Sequence, residues 1–337
     1  MSPESTAAPP QPMSVGNIVT ATIELYRARF REYFSLALQS VLWVLGPILL
    51  LLLGFGLMIA GIGVENFESG GNEVSNTSLI GLGVLVLVAS VVVGIYCGAR
   101  SLLYGATISR LAFLDLRKTP ETRTDAYRFV RRRMWKFFLA ALWVGLILFG
   151  AYIGVMLVVM LLAVIGTVIV VAATGGQLDP ATSPEATIII GLLTVLITFA
   201  VIISLVLVFA WLSARFFVYD TSLAIEERLE VTETVTVSWR LTRNHAFRVL
   251  AVILITYLVS LPVGFVVQVV ATIAQMLLMF GTPLPEELAQ VAGFLVGLVI
   301  GLAGNLLLLP LWQVVKSIIY YDLKTRKEGI DLKLSDA

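Results

Sequence analysis

The sequence has one cysteine, one histidine and only 13% charged residues in a chain of 337. Cys97 alone excludes an internal disulfide and any cysteine-rich metal site. His245 alone excludes every metal motif that needs two histidines. A soluble globular chain carries about 25% charge and about 45–50% apolar residues. Here 58% of residues are hydrophobic and the mean hydropathy is +0.96. So little charge cannot cover a water-facing surface. A soluble enzyme, a nucleic-acid-binding domain and a disordered chain are therefore excluded, and no cofactor is expected.

Bases are also missing from most of the length. All 23 Lys and Arg fall in residues 1–32, 100–136, 215–248 and 316–337, and the intervals 33–99, 137–214 and 249–315 contain none. Each base-free interval is split near its middle by a short polar segment, at 65–78, 174–186 and 281–290, which carries acids and no base. A membrane crossing takes about 20 apolar residues, because about 30 Å of hydrocarbon is crossed at about 1.5 Å per residue. The sequence thus predicts six spans, at 36–64, 79–99, 137–173, 187–213, 249–280 and 291–315. Bases in short loops stay on the cytoplasmic side. Both termini and the two basic loops are expected inside, with 23 bases against 15 acids, and the three acidic loops outside, with seven acids. Residues 1–13 lack the basic start of a signal peptide and read as a disordered cytoplasmic tail; residues 324–337 read as a second tail.

The six spans group into three copies of one unit. Each pair of spans is preceded by an aromatic–arginine pair with a second aromatic eight residues after the first. These are Tyr26-Arg27 with Phe34, Tyr127-Arg128 with Trp135, and Trp239-Arg240 with Phe247. Each pair is followed by a base and then an aspartate: Arg110 and Asp115, Arg215 and Asp220, Lys316 and Asp322. The predicted fold is an all-α polytopic bundle of three parallel hairpin repeats, at about 14–118, 119–224 and 225–323. Interfacial aromatics and arginines beside any span are the simpler account of the same marks. The lead-in segments read as amphipathic helices lying at the cytoplasmic interface, with apolar stripes at Val15, Ile18, Thr22 and Tyr26 and at Val231, Val235, Trp239 and Thr242. In the middle copy, Thr119-Pro120-Glu121 suits a cap, a first-turn proline and an acidic first turn.

The opening VGNIVTATIELYRARFREYFSLAL and the segment LAIEERLEVTETVTVSWRLTRNHAFRVLAVIL resemble a family of bacterial and archaeal six-helix membrane proteins. That family is related to the membrane domain of some glycerophosphodiester phosphodiesterases. The resemblance covers most of the chain from about residue 14. It implies a membrane module in a prokaryotic inner (plasma) membrane, without the catalytic barrel of the phosphodiesterase, whose chemistry needs several histidines and acids in one soluble domain.

No catalytic constellation is present. Cys97 has no histidine in its repeat to activate it, and His245 sits among arginines. Ion pathways need ionisable residues inside the spans, and none is there. The neutral polar residues Gln268, Gln275 and Asn305 could line a cavity, or could hydrogen-bond between helices. Gly46-Pro47 and Pro262 mark potential helix breaks at matching repeat positions, either a substrate site or inherited kinks. Gly293, Gly297 and Gly301 form a small-residue row suited to close helix packing, inside the bundle or across a homodimer, and Ser90, Gly94 and Gly98 form another. The basic loop offers Arg117, Lys118, Arg123, Arg128, Arg131, Arg132, Arg133 and Lys136 to anionic lipid headgroups. The expected function is non-enzymatic: organising membrane lipids, preferentially anionic, or partner membrane proteins at the cytoplasmic face. A permease for an uncharged or lipidic solute is the alternative. Nucleic acid is not an expected partner.

Overall fold

The computed structural model describes residues 13–65, 73–173, 184–281 and 285–335, and among these it is all-helical, with no strand. The helices are α1 (Val15–Ala28), α2 (Phe30–Glu65), α3 (Glu73–Leu116), α4 (Arg123–Arg131) and α5 (Met134–Ala173). They continue as α6 (Pro184–Phe216), α7 (Tyr219–Ile225), α8 (Val231–Thr242), α9 (Ala246–Gly281) and α10 (Glu286–Ser335). Six stretches are long and apolar enough to cross a membrane: Phe30–Ile62, Thr77–Leu116, Met134–Gly166, Gly191–Ile225, Ala246–Gly281 and Leu288–Lys327. Each expected span lies within or overlaps one of them.

The lead-in segments are separate short helices. Arg29 breaks α1 from α2, residues 132–133 break α4 from α5, and a turn at 243–245 breaks α8 from α9. Local side chains set their starts. Ser14 Oγ accepts from the Asn17 N–H at 3.1 Å, and the Glu233 carboxylate accepts from the Glu230 N–H at 3.1 Å. The start of α4 falls later than Thr119-Pro120-Glu121 suggests. Thr122 is its cap and accepts from the Asp125 N–H at 3.3 Å. The residues before it are taken by the end of α3, where Lys118 adopts φ 56°. The Thr119 N–H returns to the Leu114 carbonyl and the Lys118 N–H to that of Asp115, closing a Schellman motif.

Two boundaries differ from the expected ones because bases sit inside helices. The second span was expected to stop at residue 99, yet α3 runs 44 residues to Leu116. Arg100 and Arg110 do not end it because their side chains find partners beside the helix: Arg100 donates to Tyr96 and Tyr127, and Arg110 to Glu121. Likewise α10 continues through much of the segment read as a tail, with Lys324 and Arg326 pairing with Glu226 and Asp322. Pro47, Pro262 and Pro310 all lie inside uninterrupted helices. Each removes one N–H from the ladder, which bends a helix without ending it when flanking turns hold.

Packing is concentrated at the basic end. Tyr33 and Leu36 of α2, Ile108 and Leu111 of α3, Val249 and Val252 of α9, and Val314, Ile318 and Tyr320 of α10 form the main cluster with Ile18 of α1. A smaller cluster joins Leu103 to Val130, Phe137, Leu223 and Leu229. Toward the other end large apolar side chains stay exposed, Leu161 at 60% and Val206 at 61% among them. In hydrocarbon such exposure has no cost, because lipid tails are as apolar as leucine.

The long helices meet where side chains are small. A Cβ on Gly54 would stand 2.8 Å from Leu87 Cδ2, and one on Gly83 would stand 2.6 Å from Met58 Cγ. Ser40 and Ser101 hydroxyls share a hydrogen bond of 2.7 Å. Residue numbers rise along α2 as they fall along α3, so the two run antiparallel. On α10, Gly304 meets Val267 of α9, and Gly293 and Gly297 meet Gln275.

Candidate functional site at the basic end

The eight bases expected on lipid headgroups divide into two groups. Arg123 and Arg133 are engaged internally. Arg123 donates to Ser35 Oγ at 2.8 Å and Gln39 Oε1 at 3.1 Å, tying α4 to α2. Arg133 donates to the carbonyls of Leu223, Glu226 and Leu229 at 2.7, 2.6 and 2.8 Å, holding the end of α7 and the turn that follows it. The others point outward or lie half-buried. Arg117, Lys118, Arg128, Arg131 and Arg132 are exposed and Lys136 is partly so. Arg128 reaches Asp125 at 3.6 Å, and Arg117 stacks over Phe113. Together they form one face around α4, with a solvated surplus of positive charge.

The same end of the molecule holds ion pairs that sequence spacing only half revealed. The three aspartates that follow the repeats are each engaged. Arg29 Nε lies 2.9 Å from Asp115 Oδ2, and Lys316 Nζ lies 2.6 Å from Asp220 Oδ2. Arg248 and Arg326 both reach Asp322 Oδ2, at 3.2 and 3.0 Å, while Asp322 Oδ1 accepts from the Met13 N–H at 2.8 Å. The three bases paired with them in sequence have different surroundings. Arg110 donates to Glu121 at 2.7 Å and lies over the Phe129 ring. Arg215 lies between Trp211 and Trp239, 5.0 and 4.8 Å from their ring centres. Its Nε and Nη1 are buried with no hydrogen-bond partner among the described residues. The two indole faces offset part of that desolvation.

The docking face of α8 takes in the expected stripe, with Val231 and Val235 packed against core clusters and Trp239 against Trp211 and Phe216, and extends beyond it. Thr234, Ser238 and Thr242 are its buried residues, one position around from Val235 and Trp239. Ser238 and Thr242 hydroxyls donate to the Arg215 carbonyl at 2.8 and 3.2 Å. Hydroxyls win the buried face because they satisfy a carbonyl that apolar side chains would leave bare.

Between α8 and α10 a cavity of about 170 Å³ is lined by Glu226, Val237, Arg240, Leu241, Tyr320, Lys324 and Lys327. None of these bases was among the eight singled out from sequence. The available signal was the recurrence of Tyr320, Lys324 and Lys327 at steps of four and three, the last two of which fall in the segment that reads as a tail.

The polar residues suggested for a membrane cavity do not converge. Gln268 is exposed and donates to Thr272 at 3.5 Å. Gln275 lies against Gly293 and Gly297, and Asn305 is exposed. Because Val267 faces Gly304 and Gln275 faces Gly297, Asn305 and Gln275 lie roughly 13 Å apart along the helix axis, at about 1.5 Å per residue. A separate groove of about 560 Å³ between α5 and α6 has an apolar lining that includes Gly154, Val158, Leu162 and Val201. The glycine row is also reset: Gly293, Gly297 and Gly304 face α9, while a Cβ on Gly301 meets nothing within 4 Å. Steps of four and then seven residues follow a 3.5-residue seam; a run of fours drifts off it. The same drift takes Gly98 off the α2–α3 seam that Ser90 and Gly94 approach.

The chain belongs to the family described as a domain of unknown function, DUF7847, whose profile matches residues 119–323. No curated protein matches the sequence, and no solved structure matches it.

Proposed function

We propose that this is a multi-pass, non-enzymatic protein of a prokaryotic plasma membrane, and that it gathers anionic lipid, or a partner membrane protein, at its cytoplasmic face. The observation that carries this reading is the outward-facing group Arg117, Lys118, Arg131 and Arg132. These four bases are exposed, and none has an ion-pair partner among the described residues. Each base near an anionic surface contributes about 1 kcal/mol, screened within a Debye length. Both termini share that face in this reading, and the three acidic segments lie opposite.

The proposal includes three parallel repeats. In favour of them is the order short helix, long helix, long helix, which occurs three times, from α1, α4 and α8. The family profile begins at 119 and ends at 323, the limits of the second and third units. Kinship with the phosphodiesterase membrane domain belongs to the same proposal and rests on the two quoted segments. A permease is the weaker reading, since Gln275 and Asn305 lie at different depths.

Extraction of the full-length protein in polymer discs with its surrounding lipid tests the proposal. Lipid analysis should find anionic lipid enriched over bulk membrane, and less so when Arg117, Lys118, Arg131 and Arg132 are replaced by glutamine. Identical lipid around both proteins would overturn it.

A further inference from the structure

We propose that the crevice between α8 and α10 is a binding site for a phosphate monoester group. The proposal rests on reading this end of the molecule as the water-facing basic end. Two helix faces build the crevice. Val237, Arg240 and Leu241 share one face of α8, and Tyr320, Lys324 and Lys327 share one face of α10, at spacings of three and four residues. Three cations line a cavity of about 170 Å³, which at about 30 Å³ per water has room for a tetrahedral oxyanion together with several waters or the group that carries it.

Glu226 is the acid in the lining, and its charge is already answered. Its Oε1 accepts from the Tyr320 hydroxyl at 2.5 Å and lies 3.2 Å from Lys324 Nζ. Its main-chain carbonyl is held by Arg133 at 2.6 Å, so the acid side of the crevice is anchored to the α4–α5 turn. Arg240 and Lys327 remain, both exposed, and neither has an ion-pair partner among the described residues. The surplus of two positive charges matches a phosphate monoester, which carries about −1.5 to −2 at neutral pH. A diester carries one charge and leaves one base unanswered. Arg240 supplies a planar fork of donors, and the lysines supply point charges, the usual division of labour around phosphate.

The phosphate could belong to a lipid headgroup such as phosphatidic acid, or to a soluble molecule. Full-length protein is titrated with inorganic phosphate by calorimetry, and in parallel placed in nanodiscs containing phosphatidic acid or phosphatidylcholine and examined by native mass spectrometry. Saturable retention of phosphatidic acid assigns the lipid source, and saturable inorganic phosphate binding alone assigns the soluble one. In either case Arg240→Gln with Lys327→Gln should weaken binding about tenfold or more, with the thermal midpoint unchanged. The Arg131→Gln/Arg132→Gln protein should bind as the unsubstituted one does. Absence of saturable binding to both probes, or equal binding by the Arg240/Lys327 variant, overturns the site. The wider reading fails separately, if lipid enrichment ignores the Arg117, Lys118, Arg131 and Arg132 substitutions while the crevice variant still loses phosphate.

Discussion

Arg248 of α9 reaches the carboxylate of Asp322 on α10 at 3.2 Å, and that carboxylate is only 2% exposed. The same Asp322 accepts from the Met13 N–H and from Arg326, while Arg248 and Arg326 both donate to the Met13 carbonyl. Two guanidinium groups and one main-chain N–H therefore surround a single acid. Asp322→Asn keeps the shape and removes the charge that balances them. Breaking a buried pair from one side costs about 3–5 kcal/mol; with both arginines partly exposed, a loss of about 2–4 kcal/mol is expected. Thermal unfolding in detergent reads it, and a midpoint equal to the parent's would show that the network is dispensable.

The glycines of α10 should separate by what faces them. A Cβ on Gly304 would stand 2.7 Å from Val267 Cγ2, and valine has little rotamer freedom in a helix. Gly304→Ala is expected to cost about 1–3 kcal/mol by overpacking. Gly297→Ala collides with Gln275 Nε2, the end of a flexible side chain that can swing away, so its cost should be smaller. Gly301→Ala meets nothing and should gain about 0.5–1 kcal/mol from helix propensity. Melting temperatures that do not rank the three variants in this order would reject the seam.

Lys118 holds a left-handed backbone at the end of α3. Glycine is the residue this position favours, and Lys118→Gly should stabilise by about 0.5–1 kcal/mol. The same change removes one exposed base, so stability should rise while anionic lipid enrichment falls slightly.

His245 gives the molecule a weak acid sensitivity. Burial first, then Arg326 and Arg248, press its imidazole below the ordinary value, and Asp322 partly offsets them. The unfolded chain therefore takes up the proton more readily than the folded one. The stabilising difference is fully present above the ordinary value of about 6.5 and is lost as pH falls through the lower folded value. His245→Gln should flatten the stability profile over that window; an unchanged slope would exclude His245 as its source.

Topology is open to labelling. A cysteine at Thr122 or Thr232, both exposed, should react with an impermeant reagent only after the membrane is opened, and one at Pro285 without opening. Matching positions at Ser69 and Gln177 lie outside the described residues and should label as Pro285 does. Labelling of Thr122 in intact cells would invert the assignment.

The long helices were legible because their cause is a single quantity, the run of residues without a base. Their ends were not, because a base at a helix end and a base inside a helix look alike until its partner is known. Arg100 and Arg110 find Tyr127 and Glu121 across a turn that the sequence does not display. Part of the docking face of α8, Thr234 and Ser238, was missed for a related reason. Periodicity weighs apolar residues, whereas Ser238 and Thr242 are held by the Arg215 carbonyl, 23 residues from Ser238. The exposed basic face was visible as composition; which arginines were bound internally, Arg123 and Arg133 among them, depended on tertiary acceptors.

The contact between Met13 and Asp322 joins residues 309 positions apart in sequence. During synthesis every helix from α1 to α9 leaves the ribosome before Asp322 exists. Until then Arg248 and the Met13 N–H lack the carboxylate that both of them reach. The contact can therefore form only after the end of α10 has been made, when Asp322 meets the first residues of the described chain. A chain stopped before residue 322 has all six apolar stretches nearly complete but no latch.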